Sequence, residues 1–160
     1  MELYFITILV LIVLGVYFAH ERSRAFKNSI EVIKALSKTQ KIKEIIGVRC
    51  STLVWGGRNT NYLCNRADLY IFDGIFFICG YQKIFGWKIL KTIFVVTRNK
   101  IEYKKLFLKA EFPIVRTLHN YANQDLFIRL SDENFPSMTL EISFKGLSKE
   151  QKELFNIFNH

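Results

Sequence analysis

Seventeen consecutive uncharged residues, Leu3 to Ala19 (LYFITILVLIVLGVYFA), constrain this chain more than any other feature. As a helix they rise about 25 Å, close to the lower limit for crossing hydrocarbon. Lipid offers the backbone no hydrogen-bond partners, so helix is expected there despite the many β-branched residues. Tyr4 and Tyr17 stand near the two ends, where an amphipathic ring suits the headgroup boundary. A cleaved signal peptide is the alternative. Against it, no Lys or Arg precedes the run, Glu2 is acidic, and Val16-Tyr17-Phe18-Ala19 is too bulky for small-x-small cleavage. The expectation is a retained single-pass anchor over residues 1–20, with the lipid bilayer as the partner of residues 3–19. Arg22, Arg24 and Lys27 follow the run. The positive-inside rule then puts the N-terminus outside the cell membrane and the rest of the chain in the cytoplasm.

The remaining residues suffice for one folded domain. Half the chain is hydrophobic and it holds 15 Phe and 7 Tyr, which favours sheet. The net charge of +9 points to anionic partners: lipid headgroups, an acidic protein face or nucleic acid. Cys50, Cys64 and Cys79 form no CxxC pair and sit among apolar residues. They read as free, buried thiols, in keeping with a reducing compartment.

Residues 21–47 read as a basic amphipathic connector helix. Apolar residues recur at Phe26, Ile30 and Ile33 and again at Ile42, Ile45 and Ile46, with Gly47 as a stop and a break near Ser37 to Gln40. Its cations could touch anionic lipid, or its stripe could pack on the domain that follows.

From Val48 the pattern alternates. Strands are expected over Val48–Trp55, Tyr62–Asn65, Leu69–Phe72, Ile75–Tyr81, Ile89–Thr97, Ile101–Lys109, Phe112–Leu118, Asp125–Leu130 and Met138–Lys145. Asp73-Gly74 between two apolar runs is a hairpin signal, and Gly56-Gly57 marks another turn. No helical stretch interrupts the strands, so a parallel sheet is not expected. Ser148 and Gln151 then form a capping box opening a terminal helix, with Leu154, Phe155 and Phe158 as its apolar face. The fold class is mainly β with α.

The paired runs Ala67 to Phe72 and Ile75 to Ile78, closed by the Ser148 to Phe158 helix, make residues 48–160 resemble the bacterial pleckstrin-homology-like domains, of PH or GRAM type. That resemblance implies an antiparallel barrel capped by its C-terminal helix, used for binding rather than catalysis. The chain departs from the eukaryotic pattern in lacking a Trp in the terminal helix and a basic K-x-R motif in the first hairpin, where Arg58 stands alone. The competing architecture is a cystatin- or NTF2-like α+β domain, with the 23–46 helix packed across a curved sheet.

Catalytic patterns are missing from the sequence. His20, His119 and His160 are dispersed, and no nucleophile elbow, P-loop or dinucleotide fingerprint occurs. Asp132-Glu133 lies in a polar loop beside Asn134 and Pro136. No enzyme, metal or other cofactor is expected. The strongest polar feature is the run from residue 83 to 109. There Lys83, Lys88, Lys91, Arg98, Lys100, Lys104, Lys105 and Lys109 face Glu102 alone, a net +7. With Arg58, the residues Lys83, Lys88, Lys100, Lys104 and Lys105 are the candidate ligand surface, for anionic lipid or a membrane protein. The anchor argues against nucleic acid. A solvated outer face with Lys-blunted strand edges is the plainer reading of the same run. A structural subunit of a membrane complex is the alternative role.

Overall fold

The computed structural model describes residues 2–37, 41–56, 62–72, 75–97, 110–111, 113–120, 125–131 and 139–155. Helix α1, Glu2–Ser37, is continuous and about 54 Å long. Its two halves meet different surroundings. From Tyr4 to Phe18 the large apolar side chains are exposed, between 45% and 78%. By length and composition this half can cross a membrane. In the second half Phe26 and Ile33 are buried, and Ile30, Val32 and Leu36 pack beside them. The stripe read from the sequence is therefore the face that meets the sheet.

Seven strands follow: β1 Lys43–Trp55, β2 Arg66–Phe72, β3 Ile75–Ile84, β4 Trp87–Thr97, β5 Ile114–Asn120, β6 Asp125–Ser131 and β7 Thr139–Lys145. They form one curled antiparallel sheet, a half-barrel in the order β4-β3-β2-β1-β7-β6-β5. Consecutive strands are neighbours except β4 and β5, and the ends of the chain order meet through β1 and β7. Beyond β4, Glu111 makes an isolated bridge to its outer edge, through Val95 N–H to Glu111 O and Glu111 N–H to Ile93 O, both 2.8 Å.

Four sequence expectations need correction. Residues 43–47 are strand rather than the end of a connector helix. Ile45 alternates with its neighbours into the inner core, and β-branched residues suit that pleated surface. Gly47 is not a helix stop. It occupies a β-bulge, at φ 73°, where the β1–β2 register shifts between Ile45 and Val48. Tyr62–Asn65 is not a strand but a link pinned by Cys50 N–H to Asn65 O (3.1 Å) and Asn65 N–H to Tyr81 O (3.2 Å). The strand expected over Phe112–Leu118 runs from Ile114 to Asn120, directly after Pro113, which has no N–H to give a ladder. The strand expected over Ile101–Lys109 lies outside the described residues.

Phe72 opposes Ile75, so β2 and β3 pair up to their junction, and Asp73-Gly74 between them lies outside the described residues. Ile84 opposes Trp87 likewise, across Phe85 (φ 47°) and Gly86 (φ 85°). Positive φ at both central residues is the pattern of a primed hairpin turn, here accepted by an aromatic residue that is fully exposed.

The buried apolar residues fall into two clusters. Inside the curl, Leu69, Ile71, Phe76, Ile78, Leu126, Ile142 and Phe144 meet. The short helix α2, Lys149–Glu153, delivers Phe155 onto them, 4.9 Å from Phe76 and 6.2 Å from Phe144 between ring centroids. The expected capping box is present: Gln151 N–H donates to Ser148 Oγ (3.1 Å) and Ser148 N–H to Gln151 Oε1 (2.9 Å). The second cluster lies on the outer face, where Phe26 and Ile33 of α1 cover Tyr70, Phe77, Tyr81 and Val95. Strands β2 and β3 are accordingly buried on both faces along most of their length.

A candidate anion-binding cleft

Antiparallel register places directly opposed residues on the same face of a sheet. Arg49 of β1 opposes both Arg66 of β2 and Lys145 of β7. Their sequence neighbours Val48, Cys50, Ala67 and Phe144 point into the inner core, so the three cations stand abreast on the outer face. Like charges directly opposed destabilise a sheet, and this row ends on Asp125 of β6, which opposes Lys145 from its other side. The row borders a cleft of about 500 Å3 lined also by Gly47, Gly146 and Gln151. Among the described residues, Arg49 forms no ion pair.

Polar contacts hold the cleft in shape. The Asp68 carboxylate is 2% exposed and accepts from Gly47 N–H (2.8 Å), Tyr81 O–H (3.2 Å) and Lys88 Nζ (2.8 Å). Arg66 Nη1 donates to Gly47 O (2.9 Å). The Gly47 peptide is thus bound at both ends, and the bulge that sets the position of Arg49 is fixed. Burial pulls the Lys88 ammonium down, but the hydrogen bond and charge of Asp68 more than offset this and leave it above the usual value. Burial, then the Asp68 charge, push the Tyr81 hydroxyl up. Lys88 also lies 4.7 Å from the Tyr81 ring centroid and 5.4 Å from that of Phe26, which ties this network to α1.

These contacts sort the cations expected from sequence. Lys88 is engaged by Asp68, and its charge is balanced where it sits. Lys83 is exposed near the β3–β4 turn, its backbone N–H donating to Asn65 Oδ1 (3.0 Å). Arg58, Lys100, Lys104 and Lys105 lie outside the described residues. Arg49 and Lys145 did not stand out in the sequence, because only pairing through β1 brings them beside Arg66. Alternation alone signals that each points away from the core.

The thiols are buried, as expected. Cys50 Sγ and Cys64 Sγ lie 3.5 Å apart, and that shared hydrogen bond together with burial pushes the Cys50 thiol up. Burial does the same to Cys79. Among the described residues no group of three His, Cys, Asp or Glu side chains is placed to hold a metal. The cleft presents cations and backbone, so its chemistry is the binding of negative charge. No protein-family model, curated protein or solved structure matches this chain.

Proposed function

We propose that this chain is a membrane-anchored, noncatalytic docking module that takes an acidic segment of a membrane-associated protein into the Arg49–Arg66–Lys145 cleft. The three cations in register carry the reading. The same outer face of β1 goes on to present Leu53 and Trp55, 50% and 56% exposed. A cationic cleft followed by an exposed indole along about 20 Å of strand matches a protein surface better than a uniform layer of headgroups.

Residues 3–19 are the anchor in this reading, and Arg22, Arg24 and Lys27 keep the β domain at the cytoplasmic face of the cell membrane. The pleckstrin-homology-like assignment is supported by the meander order broken between β4 and β5 and by α2 plugging the curl. The packing of α1 across the outer face of the sheet is the element that the resemblance does not account for.

The test uses the full chain in phosphatidylcholine nanodiscs and a fluorescent oligoglutamate peptide bearing one Trp, read by anisotropy. Salt-sensitive binding that weakens about tenfold or more in the Arg49→Glu, Lys145→Glu double variant is expected. Binding unaffected by that variant sinks the reading. Peptide binding abolished by added phosphatidylglycerol would transfer the cleft to anionic lipid.

A further inference from the structure

The hairpin joining β3 to β4 ends in Ile84-Phe85-Gly86-Trp87, and every residue of that tip is exposed. Phe85 is wholly in solvent, Ile84 is 41% exposed and Trp87 55%. Aromatic side chains bring the largest gains on burial, yet these two rings are left out of both cores. The turn gains nothing from Phe85 either. At φ 47° an aromatic residue is strained, and with Gly86 at φ 85° the pair is one that Asn-Gly fills more easily. Folding does not account for Phe85.

The direction of α1 shows what lies against the tip. Its second half leads to β1, whose first residue, Lys43, opposes Ile71, and Ile71 opposes Phe76 at the far end of β3 from the tip. Phe26, earlier in the helix, packs on Tyr81, 5.4 Å between ring centroids and three residues short of Ile84. Earlier still, Tyr17, Phe18 and Arg22 share a cavity of about 560 Å3 with Leu90 and Lys91 of β4. Towards its N-terminus, α1 therefore advances to the tip end of the sheet and leaves from there. With residues 3–19 as the anchor, the reading on which this contact rests, Tyr17 and Phe18 mark the edge of the hydrocarbon. Trp87 is three residues, about 10 Å, along β4 from Leu90, and the headgroup layer is itself about 5–7 Å deep.

Charge and shape suit the same surface. Between Asp73 and Glu102 the sequence has no carboxylate. Lys83 is exposed beside the tip, and a lysine stem can lie along apolar surface while its ammonium meets phosphates. A tight turn carrying aromatic rings is convex, and the membrane interface takes up indole rings without needing a preformed pocket. We infer that the β3–β4 tip is a second membrane contact, with Ile84, Phe85 and Trp87 inserted at the headgroup–acyl boundary of the bilayer that holds residues 3–19.

Trp55→Phe leaves Trp87 as the sole indole of the full chain, and nanodiscs of phosphatidylcholine brominated near the top of its acyl chains report the depth of that ring. Blue-shifted emission, quenched by about half or more relative to unbrominated lipid, is expected. Phe85→Asn in the same background supplies the Asn-Gly pair that the turn favours, so circular dichroism should be unchanged while quenching falls about twofold or more. Water-like, unquenched emission from a chain that resists alkaline carbonate extraction overturns the tip contact and leaves the anchor standing. Unaltered quenching in Phe85→Asn takes Phe85 out of the boundary and overturns the insertion as well. Loss of structure in that variant would assign the ring to the fold, with the same result. Release of the unaltered chain by alkaline carbonate removes the anchor, and the tip's bilayer with it.

Discussion

The inner and outer faces of the sheet are buried by different means, and the contrast explains how one small domain carries both a core and a surface. The inner face closes on itself: strands from both halves of the curl meet, and one aromatic residue of α2 fills the opening. The outer face has no such closure. It depends on α1, which covers β2 to β4 and stops there, leaving Arg49, Leu53 and Trp55 of β1 exposed. Asp68 stands at the border between covered and uncovered parts. It links β3 through Tyr81, β4 through Lys88 and the β1 bulge through Gly47.

The largest way to break this contrast is to remove each plug in turn. Phe155→Ala should cost about 4 kcal/mol and Ile33→Ala about 3 kcal/mol, since both side chains are fully buried. Thermal unfolding of the full chain in detergent would measure both losses. Near-UV circular dichroism should report inner-core aromatic disorder in the first and not in the second. Equal spectral loss in both would mean that the two cores form one cooperative unit with no distinct faces.

Asp68→Ala comes next, at about 3 kcal/mol, because it strands a hydroxyl and an amide and leaves Lys88 without its counter-charge. The same substitution should weaken oligoglutamate binding although Asp68 touches no ligand, since it frees the bulge that holds Arg49. Unchanged peptide affinity in a folded variant would separate the border network from the cleft.

Alkali should act more gently. Tyr81, Lys88 and Cys79 all hold their protons to higher pH in the folded chain than their ordinary values of 10.0, 10.5 and 9.0. A folded-state value raised in this way gives stability that is complete below the ordinary value and declines as pH climbs through and beyond it. Unfolding midpoints should therefore be flat from about pH 7 to 8 and fall above about pH 9. A midpoint that rises over that interval would contradict the placement of these groups.

The smallest expected effect on stability is the most telling for function. Arg49→Gln with Lys145→Gln relieves the opposition of those two cations but also takes the cation from opposite Asp125, so stability should stay within about 0.5 kcal/mol while peptide binding falls. Destabilisation by more than about 1 kcal/mol would assign the row a structural role.

How much of this was legible in the sequence depended on which face a strand shows to what. The strands β6 and β7 alternate cleanly because one side meets the core and the other does not, so Leu126, Ile128, Leu140, Ile142 and Phe144 were readable as inward residues. Strands β2 and β3 carry apolar side chains on both sides, and such a run does not say what lies over it. The stripe on α1 was visible, but not the strands it would cover. Ile45 and Ile46 fit a helical spacing as well as an alternating one, and only their partners across the sheet decide between them. The cation row was least visible, because register is set by pairing between residues remote in the chain. The Phe85-Gly86 turn gave no warning either, since its first residue is one that normally avoids positive φ.

One mechanical consequence remains in α1. The exposed apolar half and the half packed on the sheet belong to a single helix with no proline to act as a joint. Whatever grips residues 4–18 therefore grips the sheet, and a tilt or roll imposed on that segment turns the cationic cleft through the same angle. The helix is a shaft rather than a tether. It fixes the direction in which the cleft looks as well as its distance from the surface, and so limits which neighbours can reach it.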